Sequence, residues 1–202
     1  MHLADGIVNA PVLVGSTVLA VGGVAIGLKK TDYDQIPQVA MMSAAFFVAS
    51  LIHVPIGPAQ VHLILNGLTG IILGWAAFPA ILIALLLQSI LFGYGGITVI
   101  GANTLNMALP AVCCYYLFSA ILRKANSRGA VFITGFSLGS FAIALSGVMI
   151  ALTLYLTNKN FLGVISAILI AHIPIMIIEG VLTGAVLVFI LKVCPHILTT
   201  RK

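Results

Sequence analysis

Long apolar runs, separated by short polar or glycine- and proline-rich breaks, make up nearly the whole chain. The first run covers residues 8–28 and ends at Lys29-Lys30, followed by the polar stretch Thr31-Asp32-Tyr33-Asp34-Gln35. Pro37 suits the first turn of a second helix, where a missing N–H is not needed, and that run continues to Val54. The segment Pro55-Ile56-Gly57-Pro58-Ala59-Gln60 cannot be regular helix, because two prolines and a glycine interrupt it. A third run spans 61–77, and Pro79 opens a fourth that reaches Phe92. Gly93-Tyr94-Gly95-Gly96 through Gly101 leads into a fifth, 103–122. The loop Arg123-Lys124-Ala125-Asn126-Ser127-Arg128-Gly129 precedes a sixth, 130–157, and Asn158-Lys159-Asn160 precedes a seventh, 162–191. A helix crosses the hydrocarbon core in about 20 residues. The pattern therefore predicts an all-α polytopic membrane protein of seven transmembrane helices, with residues 1–202 forming one integral membrane domain.

Composition removes the soluble alternatives. Apolar residues make up 61% of the chain and charged residues 6%, against about 25% charged in an ordinary soluble domain. Four acidic and nine basic side chains cannot coat a globule of this size, and no length is left for a soluble catalytic module. The net charge of +5 is scattered in small groups, which excludes a nucleic-acid surface and suggests cytoplasmic loops. Seven spans put Lys29, Lys30, Arg123, Lys124, Arg128, Lys192, Arg201 and Lys202 on one side and Lys159 alone on the other. By the positive-inside rule the N-terminus is then outside and the C-terminus cytoplasmic. Cys113, Cys114 and Cys194 read as small hydrophobes rather than ligands. Met1-His2-Leu3-Ala4-Asp5-Gly6 lacks the basic region of a cleavable signal, so Met1 is expected to begin the mature protein.

This topology gathers four features at the outer end: Met1-His2, the break after His53, His62, and the glycine-rich loop before Asn103. Irregular backbone at membrane depth is tolerated where it lines a cavity, so a polar pocket open to the outside is expected there. A free α-amine, the amide nitrogen of residue 2 and the His2 imidazole close adjacent chelate rings on one metal ion, and His62 could supply a fourth nitrogen. Nitrogen-rich tetragonal sites suit Ni(II) and Cu(II), and imidazole binds several late divalent metals. The plainer alternatives are an exposed terminal His2 and interfacial polar roles for His53 and His62.

The same residues carry a family resemblance. Met1-His2-Leu3-Ala4-Asp5-Gly6 resembles the Met-His-x-x-Asp-Gly start of the CbiM/NikM family, the substrate-specific components of energy-coupling-factor transporters for cobalt and nickel. The resemblance continues through His53-Val54-Pro55-Ile56-Gly57-Pro58-Ala59-Gln60-Val61-His62 and Leu65-Asn66-Gly67. It extends over Gln88, Leu91 to Thr98, Gly101-Ala102-Asn103-Thr104-Leu105-Asn106-Met107, Ala171-His172 and Glu179-Gly180. It implies a seven-helix fold whose N-terminal loop folds back into the outward-facing pocket. It also implies Co(II) or Ni(II) as transported substrate, held by Met1, His2 and His62. Asp5 matches a position that shapes the loop, and His53, Asn66, Asn103 and Asn106 fall around the pocket. The partners implied are a transmembrane coupling subunit, ATP-binding-cassette ATPase subunits and a small auxiliary membrane subunit. Residues 57–61 depart from the Gly-Gly-Thr-Thr-like run of some nickel-type members, and the short stand-alone form resembles the CbiM branch, which favours cobalt.

His172 and Glu179, seven residues apart in the last run, share a helical face and read as a structural or gating pair. Gly23 and Gly27, Ala40 and Ala44, and Ala45 and Ala49 have the small-xxx-small spacing that permits close helix contact, either within the bundle or against a coupling subunit. Three rivals remain. A channel would need more than the Gly93-Tyr94-Gly95 fragment of a filter. A secondary carrier normally shows more intramembrane carboxylates and a repeat. An intramembrane metal-dependent hydrolase using His172 and Glu179 would lack a His-Glu-x-x-His motif. The chain also has no phosphate-binding loop, so ATP-driven transport would take its ATPase from other chains.

Overall fold

The computed structural model describes residues 2–51, 53–56, 59–122, 127–195 and 197. Seven α-helices account for most of them: α1 (Ala10–Lys30), α2 (Ile36–Ala49), α3 (Asn66–Leu73), α4 (Ala77–Phe92), α5 (Ile100–Leu122), α6 (Arg128–Thr157) and α7 (Leu162–Val193). Among the described residues, five stretches are long and apolar enough to cross a membrane: Ala10–Lys30, Asn66–Phe92, Ile100–Ile121, Arg128–Thr157 and Lys159–Val193. Apolar side chains fill the core, including Phe46, Phe78, Ile81, Ile143 and Leu154, and also cover much of the outside. Val14, Val18, Leu19 and Val21 on α1 face outward, whereas Asn66, Gln88, Asn103, Asn106, Ser146 and Glu179 are buried.

Two helix starts show why these residues begin where they do. The Asn9 side chain accepts from Val12 N–H at 3.1 Å, while its own amide donates to the carbonyls of Leu156 and Thr157 at 3.3 Å. One residue thus caps α1 and ties its start to the end of α6. Ser127 caps α6 in the same manner, accepting from Ala130 N–H at 3.2 Å.

The structure corrects the expected second and third runs. α2 stops at Ala49 rather than Val54, and no helix covers 61–65. Residues 53–62 contribute β2 (His53–Ile56) and β3 (Ala59–His62), which pair antiparallel with His53 opposite His62 and Pro55 opposite Gln60. The chain start adds β1 (His2–Leu3), and the sheet order is β1-β3-β2. Pro55 is therefore on an edge strand, where a missing N–H is tolerated. The expectation of a purely helical protein misses this small sheet. Its cause is the proline pair that forbids helix, leaving backbone groups that must pair elsewhere when buried.

Beyond the sheet the chain makes only half a span. Eight residues of α3 rise about 12 Å, and a 3-10 turn at Gly74–Ala76 then reverses the chain into α4. Gly74 adopts φ +58 there, a left-handed conformation that suits glycine. α3 runs alongside α5 at near contact: a side-chain carbon at Gly70 would collide with the Ala111 backbone. Gly23 and Gly27 meet Phe78, Trp75 and Pro79, so this glycine pair serves packing inside the bundle. Ala40 and Ala44, by contrast, are exposed.

Candidate metal centre

The N-terminus is the element that builds the site. β1 pairs with β3, placing His2 opposite Gln60 and Leu3 opposite Ala59. Leu3 is fully buried, and its free strand edge is satisfied by one side chain from α5. Leu3 N–H donates to Asn103 Oδ1 at 2.8 Å, and Asn103 Nδ2 donates to the Leu3 carbonyl at 3.1 Å. Asn103 thus imitates a neighbouring strand, as only a primary amide with both a donor and an acceptor does.

The glycine-rich loop holds the next residues. Asp5 N–H donates to the Gly95 carbonyl at 3.1 Å. Asp5 Oδ1 accepts from Thr98 N–H at 3.2 Å and from Thr98 Oγ1 at 2.5 Å. Gly96, at φ +134, lies against that carboxylate so closely that any side chain would occupy its place. The two glycines before Ile97 are therefore a cradle for the N-terminal segment.

This anchoring brings two histidines together. His2 and His62 are 2% and 1% exposed, and their ring centroids lie 4.5 Å apart. His62 Nδ1 is 2.6 Å from the Leu63 carbonyl. A carbonyl only accepts, so Nδ1 carries the proton and Nε2 presents its lone pair. Metal-bound histidines characteristically donate their other ring N–H in this way. Nε2 is buried and has no hydrogen-bond partner among the described residues. His62 stands on β3. In this tautomer the ring is neutral.

The remaining sequence-derived residues fall in three places. Met1 lies outside the described residues, as do Arg123, Lys124, Arg201 and Lys202. His53 stands opposite His62 in the strand register. Asn66 and Asn106 lie among the helices: Asn66 Nδ2 donates to Ser146 Oγ at 2.8 Å and to the Met107 carbonyl at 3.3 Å, and Thr153 Oγ1 donates to Asn106 Oδ1 at 3.4 Å. On α7, His172 Nδ1 lies 2.5 Å from the Ile168 carbonyl. Glu179 Oε1 accepts from the N–H groups of Ile64 and Leu65, the latter at 2.7 Å.

Sequence reasoning passed over several contributors: Thr98, Ser146, Thr153, and the strand pairing that buries His2. Thr98 was findable, because a hydroxyl and amide just after two glycines form a natural carboxylate clasp for Asp5. Ser146 and Thr153 carry no such signal within a long apolar helix.

The chain as a whole is similar to several known proteins. Residues 2–197 match the family model described as the cobalt uptake substrate-specific transmembrane region, CbiM. The chain is 40% identical to a protein of Haemophilus influenzae named for metal transport, covering 100% of this chain and 98% of that one. It is 36% identical to the fused nickel transport protein NikMN of Rhodobacter capsulatus over 64% of this chain and 38% of that protein. A crystal structure of a transition metal transporter superposes with a TM-score of 0.78 at 28% identity, covering 96% of this chain and 93% of its own.

Proposed function

Because the chain belongs to the CbiM family of cobalt-uptake transmembrane proteins, we propose that it is the metal-capturing subunit of an ATP-driven energy-coupling-factor importer. It binds one Co(II) or Ni(II) ion, with cobalt preferred, from the extracytoplasmic side. The ligands are the Met1 amine, the His2 amide and imidazole, and His62 Nε2. The observation that carries this reading is the buried meeting of the His2 and His62 rings at 4.5 Å, with the His62 tautomer set for ligation.

Asp5 and Asn103 hold the N-terminal segment over the ion. The His2 amide, when deprotonated by the metal, supplies negative charge that the ligand set otherwise lacks, so protons compete for the site. Selectivity between the two metals rests on geometry rather than affinity order.

Seven crossings result if β2, β3 and α3 together make the third. Lys29 and Lys30 at the end of α1, Arg128 at the start of α6 and Lys192 at the end of α7 then share one face. Lys159 falls at the other, near Asn9, which is bonded to the end of α6. This distribution supports an outward N-terminus and a cytoplasmic location for the basic groups. The chain performs no covalent chemistry; a coupling subunit and separate ATPases, with a small auxiliary subunit, drive release inward. A hydrolytic role for Glu179 is disfavoured because one of its oxygens is committed to two backbone amides.

The test is metal analysis of purified protein beside a version extended by one residue ahead of Met1. The extension removes the amine from register with His2, so the extended protein is expected to lose stoichiometric metal and its visible absorption. Unchanged affinity and spectrum in the extended protein would refute the ligand set. ATPase-dependent uptake in reconstituted complexes separates an importer subunit from a channel or ion-coupled carrier.

A further inference from the structure

Between His62 and the first residue of α3 the chain makes one abrupt turn. The Leu63 carbonyl accepts the His62 Nδ1–H. Leu65 then stands at φ 54, the only non-glycine residue with positive φ among the described residues. L-residues with a β-carbon enter this region at a cost, so something must hold the backbone there. The amides of Ile64 and Leu65 converge on a single atom, Glu179 Oε1 of α7.

Glu179 is fully buried and is the only glutamate in the chain. Its own helix is fixed in place. A side chain at Gly139 of α6 would run into the Glu179 carbonyl and Thr183, and one at Gly180 would run into Phe136 and Ser140. A carboxyl oxygen carries two lone pairs, so Oε1 can receive both amides at once. Burying a carboxylate is costly unless its hydrogen bonds are good, and an apolar residue would fill the same space without that cost.

We infer that Glu179 is a positioning residue for metal capture: from α7 it holds the Ile64 and Leu65 amides, and so fixes the direction in which His62 presents Nε2. The inference rests on the reading of His62 as a metal ligand. It gives one member of the last-span pair a defined task. Glu179 acts through backbone two and three residues from the ligand, without touching the ion. Groups that orient a metal ligand in this manner typically change affinity about 10- to 100-fold when removed.

The test is Co(II) titration, read by affinity and by visible absorption, on purified full-length protein carrying Glu179→Ala, Glu179→Asp, Glu179→Gln or His62→Ala. Glutamine keeps an oxygen acceptor at the same reach, while aspartate withdraws it by one methylene and alanine removes it. The expected result is near wild-type behaviour for Glu179→Gln, with weaker binding and shifted ligand-field bands for Glu179→Asp and Glu179→Ala. If Glu179→Ala does not fold, the Asp and Gln pair decides: a shifted spectrum in Asp alone supports the inference, and an unshifted one overturns it. Wild-type affinity and bands in all three Glu179 variants, beside metal loss in His62→Ala, overturn the positioning role alone. Equal loss in Gln and Ala with unshifted bands marks a merely structural carboxylate and also overturns it. Wild-type binding by His62→Ala overturns the ligand assignment, and this inference with it.

Discussion

Protein carrying His62→Ala is expected to purify without stoichiometric Co(II) or Ni(II), with affinity reduced by more than the about 100-fold that marks loss of a supporting contact. The reason is that His62 is not one donor among many. In the proposed ligand set the side-chain donors are His2 and His62 alone, and the described residues hold no cluster of three or more His, Cys, Asp or Glu side chains that could replace them. Removing the His62 ring also removes the wall against which the His2 ring sits 4.5 Å away. Metal content by mass spectrometry and titration by absorbance provide the measurement. A folded His62→Ala protein that retains one equivalent at wild-type affinity would sink the site.

The second large effect belongs to a residue that touches no metal in this reading. Asn103→Ala leaves both the N–H and the carbonyl of buried Leu3 without their α5 partner. An unpaired buried backbone group costs about 1–3 kcal/mol, so undocking of β1 becomes easier by roughly 2–6 kcal/mol for the two. Since each 1.4 kcal/mol is tenfold, metal affinity is expected to fall by about 30-fold or more. Asn103→Asp repairs only half of the clamp, because a carboxylate accepts from Leu3 N–H but donates nothing to its carbonyl. It should fall between alanine and wild type if the clamp acts as described. Hydrogen exchange at Leu3 gives an independent reading. An exchange rate at Leu3 that does not rise in Asn103→Ala would show that β1 is held by other contacts.

These two residues differ in how visible they are without the fold. His62 lies just beyond a proline-broken stretch and begins a recognisable motif, so its residue type and position alone mark it. Asn103 stands out for its place after a glycine-rich loop, but its task does not, because Leu3 is 100 positions away. The glycines at 95 and 96 are legible as a break in helix. That they cradle Asp5 requires the fold, since φ +134 at Gly96 and the carboxylate beside it are set by packing.

The helical runs are read closely where they are simplest. α6 begins at Arg128 and α7 at Leu162, within two residues of the polar breaks that predict them. The departure comes at 50–65, where an apolar run looks like the ends of two spans. Hydrophobicity there is shared by strand and helix alike, and neither length nor period separates them in so short a segment. Pro55 and Pro58 exclude helix between the runs but cannot say that the flanking residues pair with each other and with the chain start.

What the sequence determined by itself is therefore the class and the ingredients. An apolar content of 61% with four acidic side chains admits little but a membrane protein. The Met-His start and the histidine after a broken segment carry the family resemblance from which the metal site is proposed. These are local or summed properties, readable without knowing what meets what. Tertiary structure alone decided the arrangement: a sheet seeded by two N-terminal residues, an amide clamp from α5, and Glu179 of α7 bonded to the turn beyond His62. Each depends on groups far apart in the chain, 100 positions for Leu3 with Asn103 and 115 for Ile64 with Glu179. Such pairings arise because buried backbone donors and acceptors must find partners wherever the packed bundle happens to offer them.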